Sequence, residues 1–271
     1  MNTSTTPSLA VERVRHEIKV RRLQVQRIDQ ISPHFLGIRF VGDALRDFIS
    51  ASFDDHAKLM LPAQPGLPLV LPQPGPDGLA LPPGAQKPVM RDYTPRQFDQ
   101  AAGTLDIEFV LHGEGVASLW AEAAKVGDEV GLGGPRGSFV VPTGFDWHLL
   151  VGDESAIPAI ARRLEELPDT AQAITVVETA DAGDRRTFTS RANLQTHWLQ
   201  TGTTGVLANA VAALKLPAGE GFAWAGGEAA SMVAVRQALV DANGHALDKG
   251  RVRASAYWKR GSVGHHETLG G

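Results

Sequence analysis

The sequence has no cysteine among its 271 residues. This absence excludes a disulfide scaffold, a zinc site built from thiolates and an iron–sulfur cluster bound through cysteine. If the protein transfers electrons, an organic cofactor must therefore carry them.

Long apolar runs are absent as well. The first residues, MNTSTTPSLAVERVRHE, are polar and lack the apolar core of a secretory signal. No later stretch approaches the ~18 uninterrupted apolar residues of a membrane-spanning helix. We therefore expect a cytoplasmic protein without stable membrane insertion.

Basic residues are not in excess, because 26 lysines and arginines face 30 acidic residues and the formal charge is −4. This balance argues against a nucleic-acid partner but is compatible with a local cationic pocket. Hydrophobic residues make up 43% and charged residues 21% of the sequence, as is typical of a soluble globular protein. The length suits two domains of roughly 100 to 150 residues each.

Short strands with turns between them dominate residues 22–139. In the segment LDIEFVLH, the apolar residues Leu105, Ile107 and Phe109 recur with a period of two. Many short strands of this kind predict a small antiparallel barrel. Residues 62–88 are rich in proline and glycine, and they predict a long excursion from the barrel rather than a part of its core.

The pattern changes near Phe145 to buried strands followed by helices. Residues 147–151 (WHLLV) form an apolar run, and residues 156–167 (AIPAIARRLEEL) have helical spacing. The pattern returns in AITVVETA and RANLQTHWLQ, and again in GFAWAGGEAASMVAVRQAL. Repeated strand and helix units predict a doubly wound parallel sheet, in which ligands bind outside the carboxyl ends of the strands. We therefore predict a barrel domain over residues 14–142 and an α/β domain over residues 146–262.

The segment RDYTPR, which begins at Arg91, combines two guanidinium groups, an aromatic ring and a hydroxyl. In an extended strand Arg91 and Tyr93 share one face, and Thr94 and Arg96 share the other. Arginine binds phosphate through two hydrogen bonds, tyrosine covers a ring, and threonine can hydrogen-bond a ring nitrogen. The segment therefore predicts a site for a flat anionic ligand such as a flavin dinucleotide. The alternative is an ordinary strand with surface arginines.

A turn with two glycines, HGEGVASLW, follows the LDIEFVLH strand. Glycine permits close approach of the backbone, and a helix that begins near Val116 would offer free N–H groups and the Ser118 hydroxyl to a pyrophosphate. The alternative is a glycine turn in which Ser118 only caps the helix. We expect His112 to contribute through its position at the strand end rather than through acid–base catalysis.

Two glycine-bearing turns follow strands of the second domain, at residues 152–159 (GDESAIPA) and 226–230 (GGEAA). Neither is a G-x-G-x-x-G fingerprint, yet both would lie at the carboxyl edge of one sheet and can line a nicotinamide cleft. Arg185 and Arg186 follow the AITVVETA strand and favour NADPH over NADH, since they can meet a ribose phosphate. The alternatives are ordinary glycine loops and solvated arginines.

Aromatic and basic residues stand together in residues 256–261 (AYWKRG). The aromatic pair can close over a ring system while Lys259 or Arg260 supplies charge. Lys58, in the strand DDHAKLMLP, and Arg136, in the turn GGPRGS, are two further cations. Taken alone, the aromatic pair predicts packing and each cation predicts a surface charge.

Taken in order, seven segments closely resemble the siderophore-interacting protein family, a branch of the ferredoxin-reductase-like flavoproteins. They are DDHAKLMLP, RDYTPR, HGEGVASLW, GGPRGS, LLVGDESAIPAIARRLEELP, WAGGEAASMVAVR and AYWKRG. The resemblance extends from about Val14 to about Gly261. It implies a Greek-key antiparallel β-barrel that binds FAD, followed by a doubly wound parallel-sheet domain that binds NAD(P)H. It also implies the reduction of ferric siderophore with release of ferrous iron.

The resemblance implies roles for individual residues, with Thr94, near the reactive ring nitrogen, as the catalytic one. The sequence departs from the family at Val116, where many members have proline, and has Ala230 in a turn where members vary. The implied FAD contacts are Arg91, Asp92, Tyr93, Thr94, Arg96, His112, Gly115, Val116, Ala117, Ser118 and Trp258. The implied chelate contacts are Lys58, Arg136, Lys259 and Arg260. The predicted nucleotide contacts, taken from the two glycine-bearing turns, are Asp153, Glu154, Ser155, Gly227 and Glu228.

These features lead to the hypothesis of an NAD(P)H-dependent ferric-siderophore reductase with bound FAD. NADPH or NADH gives up two electrons as hydride whereas ferric iron accepts one, so a flavin is needed between them. Many ferric chelates are anionic, and a local cationic cluster attracts them without attracting nucleic acid. The alternatives are a flavin reductase or an electron donor to a protein partner, and a noncatalytic siderophore or nucleotide carrier. We expect a monomer without a resident metal.

Overall fold

The computed structural model of the chain describes residues 9–75, 78–202, 204–262 and 266–269. The chain divides into two compact units. The barrel unit is Arg13–Phe139, and the sheet unit contains Val140 onward together with the segment that ends at Glu12. No helix within the described ranges is both long and apolar enough to cross a membrane.

Among the described residues, the barrel unit consists mainly of strands with one α-helix and one short 3-10 helix (Asp43–Leu45), in agreement with the alternating apolar pattern of its sequence. Its helix is α1 (Val116–Ala123). Its strands are β1 (Glu12–Arg15), β2 (Val20–Ser32), β3 (Phe35–Val41), β4 (Ala57–Leu61), β5 (Gln73–Gly75), β6 (Gly78–Ala80), β7 (Val89–Tyr93), β8 (Gln97–Asp99), β9 (Thr104–Val110), β10 (Glu129–Gly133) and β11 (Gly137–Val140).

Seven of these strands form one antiparallel sheet in the order β7-β4-β10-β2-β3-β9-β8. The end strands β7 and β8 are separated in the chain only by residues 94–96. Because consecutive Cα atoms are about 3.8 Å apart, so short a link requires the sheet to curl until its end strands are close. The predicted antiparallel barrel is confirmed. Leu105, Ile107 and Phe109 are fully buried in its core, as their period of two predicted.

The proline-rich excursion, residues 62–88, contains the β5–β6 hairpin and packs against the barrel. A side chain of Leu71 occupies the space beside Gly131 on β10, where an added Cβ would lie 2.3 Å from the Leu71 Cδ2 atom. Leu69 is also buried. The excursion is therefore anchored by leucines that stand between its prolines.

The sheet unit alternates strands and helices. Its helices are α2 (Ile157–Glu166), α3 (Val206–Ala213) and α4 (Ala229–Val240). Its strands are β12 (Trp147–Gly152), β13 (Gln172–Thr179), β14 (Asn193–Gln200), β15 (Gly221–Glu228), β16 (Val252–Trp258) and β17 (Glu267–Leu269).

The strands of this unit form a six-stranded sheet in the order β14-β13-β12-β15-β16-β17, parallel except for β17. The strand order reverses between β12 and β15, which is the switch point where ligands bind in such sheets. One core cluster joins the strands to α3 and α4 through side chains that include Leu149, Val151, Leu207 and Val235. The predicted doubly wound sheet is confirmed.

The repeat of strands and helices predicted that the segment RANLQTHWLQ is a helix, and this prediction is wrong. The segment contains strand β14, whose residues pair in parallel with β13 from Asn193 to Gln200. The connection from β13 contains only a short 3-10 helix, Ala182–Asp184. The physical reason is pairing, because the open edge of β13 offers eight residues of backbone partners that an isolated sequence pattern does not reveal.

Candidate active site

Strand β7 carries most of the RDYTPR segment. Arg91 lies opposite Leu59 on β4, and Tyr93 lies opposite Ala57. The Tyr93 ring packs against Phe109 with a centroid distance of 4.5 Å. Burial raises the pKa of the Tyr93 hydroxyl above its ordinary value, so the side chain is neutral and is held by an apolar contact.

The two arginines of the segment differ in their partners. The Arg96 Nε atom lies 3.1 Å from the Glu108 carboxylate, and both side chains are largely buried. Arg91 donates a hydrogen bond of 2.8 Å to the carbonyl of Met90. No carboxylate of the described residues forms an ion pair with Arg91. Arg91 is therefore available to an anion such as a pyrophosphate, whereas Arg96 braces the barrel.

Thr94 directly follows β7 and is 8% exposed. Within the described part of the chain, its hydroxyl has no hydrogen-bond partner. A hydroxyl can donate one hydrogen bond and accept others, so a ligand atom can pair with this group. Thr94 thus fits a role as a hydrogen-bonding residue for a polar ring atom.

Helix α1 begins at Val116, as the HGEGVASLW pattern predicted. Its N-cap is Gly115 with a φ of 77°, and no side chain caps the first N–H groups. A Cβ at this position would lie 3.4 Å from the His112 ring, so glycine also lets the imidazole approach. An uncapped helix start presents N–H groups and the positive end of the helix dipole, as a pyrophosphate requires.

The Ser118 side chain is used within the protein. Its hydroxyl accepts a hydrogen bond of 3.2 Å from the His112 N–H and donates one of 3.2 Å to Glu122. Ser118 therefore braces the turn, and its backbone N–H, with that of Ala117, remains for a ligand. Sequence reasoning missed Glu122, although a serine four residues before a glutamate on one helix is a signal for such a bond.

The residues of the barrel unit fit the predicted FAD. Arg91 and the start of α1 offer a cation and N–H groups to a pyrophosphate. Tyr93 offers a fixed aromatic ring, and Thr94 offers a hydroxyl whose hydrogen-bonding capacity is unused among the described residues.

Lys58, a predicted chelate contact, is paired with Asp92. The Lys58 Nζ atom lies 2.9 and 3.0 Å from the two carboxylate oxygens of Asp92, directly across from it on β7. On its other side Lys58 lies opposite Gly133. Arg136 follows Gly133 closely in the chain and is exposed. Lys58 and Arg136 therefore lie at the same end of the β4–β10 pair.

Asp153 joins three strand ends at the carboxyl edge of the second sheet. Its carboxylate accepts hydrogen bonds from the Ser155 N–H at 2.9 Å, the Glu228 N–H at 2.9 Å and the Trp258 indole N–H at 2.8 Å. The Ser155 hydroxyl donates a further bond of 2.5 Å. Burial raises the pKa of the Asp153 carboxyl, while these hydrogen bonds oppose that rise. Asp153 is thus a structural centre of the predicted nucleotide site.

The other acidic residues of this edge also shape loops. Glu154 accepts a hydrogen bond from the Ala180 N–H, and burial raises the pKa of the Glu154 carboxyl. Glu228 caps α4 by accepting from the Ser231 N–H at 3.0 Å. Gly227 has a φ of 151°, and a Cβ there would lie 2.6 Å from the Asp153 carboxylate. This glycine permits the close approach that places Asp153.

The AYWKRG segment ends β16 at the same carboxyl edge. The Trp258 side chain is 40% exposed even though its N–H is bound to Asp153. Lys259 and Arg260 are exposed, and the Arg260 N–H lies 3.4 Å from the Glu228 carboxylate. The edge therefore presents an indole face and two cations beside the turns predicted to hold a nucleotide.

The fold, a curled antiparallel sheet followed by a parallel α/β sheet, is the ferredoxin-reductase-like fold. The chain has the same fold as the FAD/NAD-binding domain of nitric oxide dioxygenase from Vibrio cholerae, at 17% identity and a TM-score of 0.64. That likeness covers 88% of this chain and 98% of the other.

Within this class the family is also clear. The family model described as "Siderophore-interacting FAD-binding domain" matches residues 24–139, and the model described as "Siderophore-interacting protein" matches residues 145–261. The "NADPH-dependent ferric-chelate reductase" of Escherichia coli K12 is 38% identical over 91% of this chain and 96% of its own length. The crystal structure of a siderophore utilization protein from T. fusca has 34% identity and a TM-score of 0.85, covering 94% of this chain and 98% of that one. The chain belongs to the siderophore-interacting protein family.

Proposed function

We propose that this protein is an NAD(P)H-dependent ferric-siderophore reductase that uses FAD to reduce ferric to ferrous iron and so releases iron from its chelate. The observation that carries this proposal is 38% identity over nearly the full length to a protein named for ferric-chelate reduction with NADPH. The availability of Arg91 and the uncapped start of α1 support the FAD part of the proposal.

FAD held by Arg91 and the start of α1 would supply the conversion of one two-electron hydride donor into single electrons for ferric iron. One NAD(P)H therefore serves two ferric chelates and leaves one NAD(P)⁺, one proton and two ferrous ions. The protein's own contribution is to bind and orient the reactants, since no acid–base residue is required for electron transfer.

In the barrel unit, we assign Arg91 and the N–H groups of Val116, Ala117 and Ser118 to the pyrophosphate. Tyr93 provides an aromatic wall for the flavin ring, and Thr94 donates a hydrogen bond to it. Arg96 acts through Glu108 as a brace, and His112 acts through the Ser118 turn. These assignments rest on which groups have partners among the described residues and which do not.

In the sheet unit, the carboxyl edge of β12, β15 and β16 is the proposed nucleotide site. Asp153 positions the backbone of Glu228 and the indole of Trp258 instead of facing the nucleotide itself. We assign Lys259 and Arg260 of this unit to the attraction of an anionic chelate. In the barrel unit, we assign Lys58 and Arg136 to the same role. The cytoplasmic location and the monomeric state remain predictions.

The test uses the purified protein under anaerobic conditions. We expect a yellow protein whose flavin absorbance bleaches on addition of NADPH or NADH. We then expect it to form ferrous iron from an added ferric chelate in the presence of a ferrous trap. Bleaching without ferrous iron, but with reduction of free flavin or of a protein acceptor, would favour the flavin-reductase alternative. A colourless protein that gains no flavin on reconstitution would indicate a carrier.

A further inference from the structure

Lys58 and Asp92 form a bidentate ion pair across β4 and β7. Both Nζ–oxygen distances are about the optimum for a charged hydrogen bond, at 2.9 and 3.0 Å. The Asp92 side chain is 18% exposed and that of Lys58 is 47% exposed. The pair is therefore open to solvent on the lysine side, so an incoming ligand can reach the cation while the carboxylate remains beneath it.

Arg136 provides the contrast at the same end of the strands. It is exposed, and among the described residues no carboxylate forms an ion pair with it. Of the two cations of the barrel unit that we assign to the chelate, one is compensated by a carboxylate and the other is not. The neighbouring Asp92 thus offsets part of the attraction that Lys58 would otherwise exert on an anion.

We infer that Asp92 determines the charge selectivity of ferric-chelate reduction by competing with the chelate for Lys58. This inference rests on the proposed function. An anionic chelate gains the attraction of Lys58 only by weakening the pair, whereas a cationic chelate keeps the favourable field of Asp92. The ion pair therefore reduces the difference in affinity between anionic and cationic chelates. A strongly anionic chelate then does not exclude other substrates from the site.

The size of the effect follows from the exposure of the pair. A partly exposed ion pair shifts an equilibrium by up to about fivefold at low salt, and the shift falls as ionic strength rises. Releasing Lys58 is therefore expected to change the preference for anionic over cationic chelates by roughly three- to fivefold. The change lies in KM, because the pair acts on binding and not on electron transfer.

The experiment compares two ferric chelates with the FAD-loaded enzyme and saturating NADPH. One is a trianionic ferric tris-catecholate, and the other is a ferric trihydroxamate with a net positive charge. The quantity measured is the ratio of kcat/KM for the anionic chelate to that for the cationic chelate. Any change in flavin loading affects both chelates alike and cancels in this ratio.

Asp92→Asn, which keeps the shape of the side chain, is expected to raise the ratio roughly three- to fivefold at low salt and by less at high salt. Lys58→Gln is expected to lower it. In the Lys58→Gln background, Asp92→Asn is expected to raise the ratio by less than about twofold, since only the long-range loss of one negative charge remains.

Asp106→Asn is the matched control. Asp106 also pairs with a cation directly across the sheet, because the Arg39 guanidinium lies 2.7 and 2.6 Å from its two carboxylate oxygens. The substitution changes the net charge by the same amount, away from the proposed chelate contacts, and is expected to leave the ratio unchanged.

An unchanged ratio in Asp92→Asn would overturn the inference, as would an equal rise in Asp106→Asn or an equal rise with and without Lys58. If Asp92→Asn does not fold, the ratio of Lys58→Gln still tests the inference, since an unchanged value there would also reject it. Failure of the proposed function is a separate outcome, in which the unsubstituted enzyme reduces neither chelate with NADPH or NADH.

Discussion

The indole N–H of Trp258 donates a 2.8 Å hydrogen bond to the carboxylate of Asp153, which lies 105 residues earlier in the chain. The bond fixes the orientation of a ring that is 40% exposed at the proposed nucleotide edge. The buried Asp153 carboxylate therefore orients the exposed Trp258 ring, and a substitution at Asp153 should change the orientation of that ring.

Asp153→Asn should destabilise the sheet unit and weaken nucleotide binding. Asparagine offers one acceptor oxygen where aspartate offers two, so some of the bonds from Ser155, Glu228 and Trp258 must be lost. We expect a loss of about 1–3 kcal/mol in the free energy of unfolding and a raised KM for NADPH. Urea titration and steady-state kinetics measure the two effects. Trp258→Phe, which removes a single bond, should cost less stability, and equal losses would contradict the explanation.

Substitution of Arg91 should weaken FAD binding, whereas substitution of Arg96 should reduce stability. Arg91→Ala removes a cation without a carboxylate partner among the described residues, and we expect the affinity for FAD to fall about 10- to 100-fold with little change in unfolding. Arg96→Ala leaves the Glu108 carboxylate buried without this partner and should cost about 1–3 kcal/mol of stability. Titration of the apoprotein with FAD measures the affinity, and thermal unfolding measures the stability of both variants. Wild-type FAD affinity in Arg91→Ala would refute the assignment.

Stability should fall in mild acid because of His148. Burial lowers the pKa of this imidazole from 6.5 to about 3, and nearby Arg163 contributes. The folded protein therefore holds His148 neutral while the unfolded chain binds a proton below pH 6.5, so stability is full above that pH and is lost as the pH falls towards 3.

The loss is about 2 kcal/mol near pH 5. Urea unfolding near pH 8 and near pH 5 measures it, and His148→Gln is the control because glutamine does not titrate. The variant should lose less stability than the unsubstituted protein between the two pH values. Parallel losses would show that other groups account for the acid sensitivity.

Gly131→Ala should loosen the proline-rich excursion. The new Cβ would lie 2.3 Å from a Leu71 methyl group and 3.1 Å from the Met60 Cβ, so Leu71 must move. We expect a cost of about 1–3 kcal/mol and faster proteolysis within residues 62–88. Adding Leu71→Ala should remove the clash and recover part of the stability, and no recovery would mean that another contact is limiting.

Arg185 and Arg186 should set the preference for NADPH. They follow β13 at the carboxyl edge, and the Arg185 guanidinium is exposed and bonds only weakly, at 3.3 Å, to Gln200. Replacing both with serine should raise KM for NADPH about tenfold while KM for NADH changes little, because only NADPH carries the additional phosphate. Equal changes for both nucleotides would place the arginines outside the nucleotide site.

Local patterns in the sequence determined much of this protein. The period of two in LDIEFVLH predicted buried Leu105, Ile107 and Phe109, and the glycines of HGEGVASLW predicted a helix that begins at Val116. These predictions hold because side-chain periodicity and the preferences of glycine act over a few residues. The absence of cysteine likewise determined that no thiolate chemistry is possible in this chain.

Only the tertiary structure decided which cations are paired with a carboxylate and which can bind an anionic ligand. Lys58 and Arg136 look alike in the sequence, but the pairing of β4 with β7 places Asp92 against Lys58. Strand register and the crossovers of the parallel sheet likewise brought Asp153 to Trp258. Contacts between distant residues depend on how whole strands align, and a local sequence pattern does not encode that alignment. The sequence therefore identified the candidate residues, and the fold determined which partners each of them has.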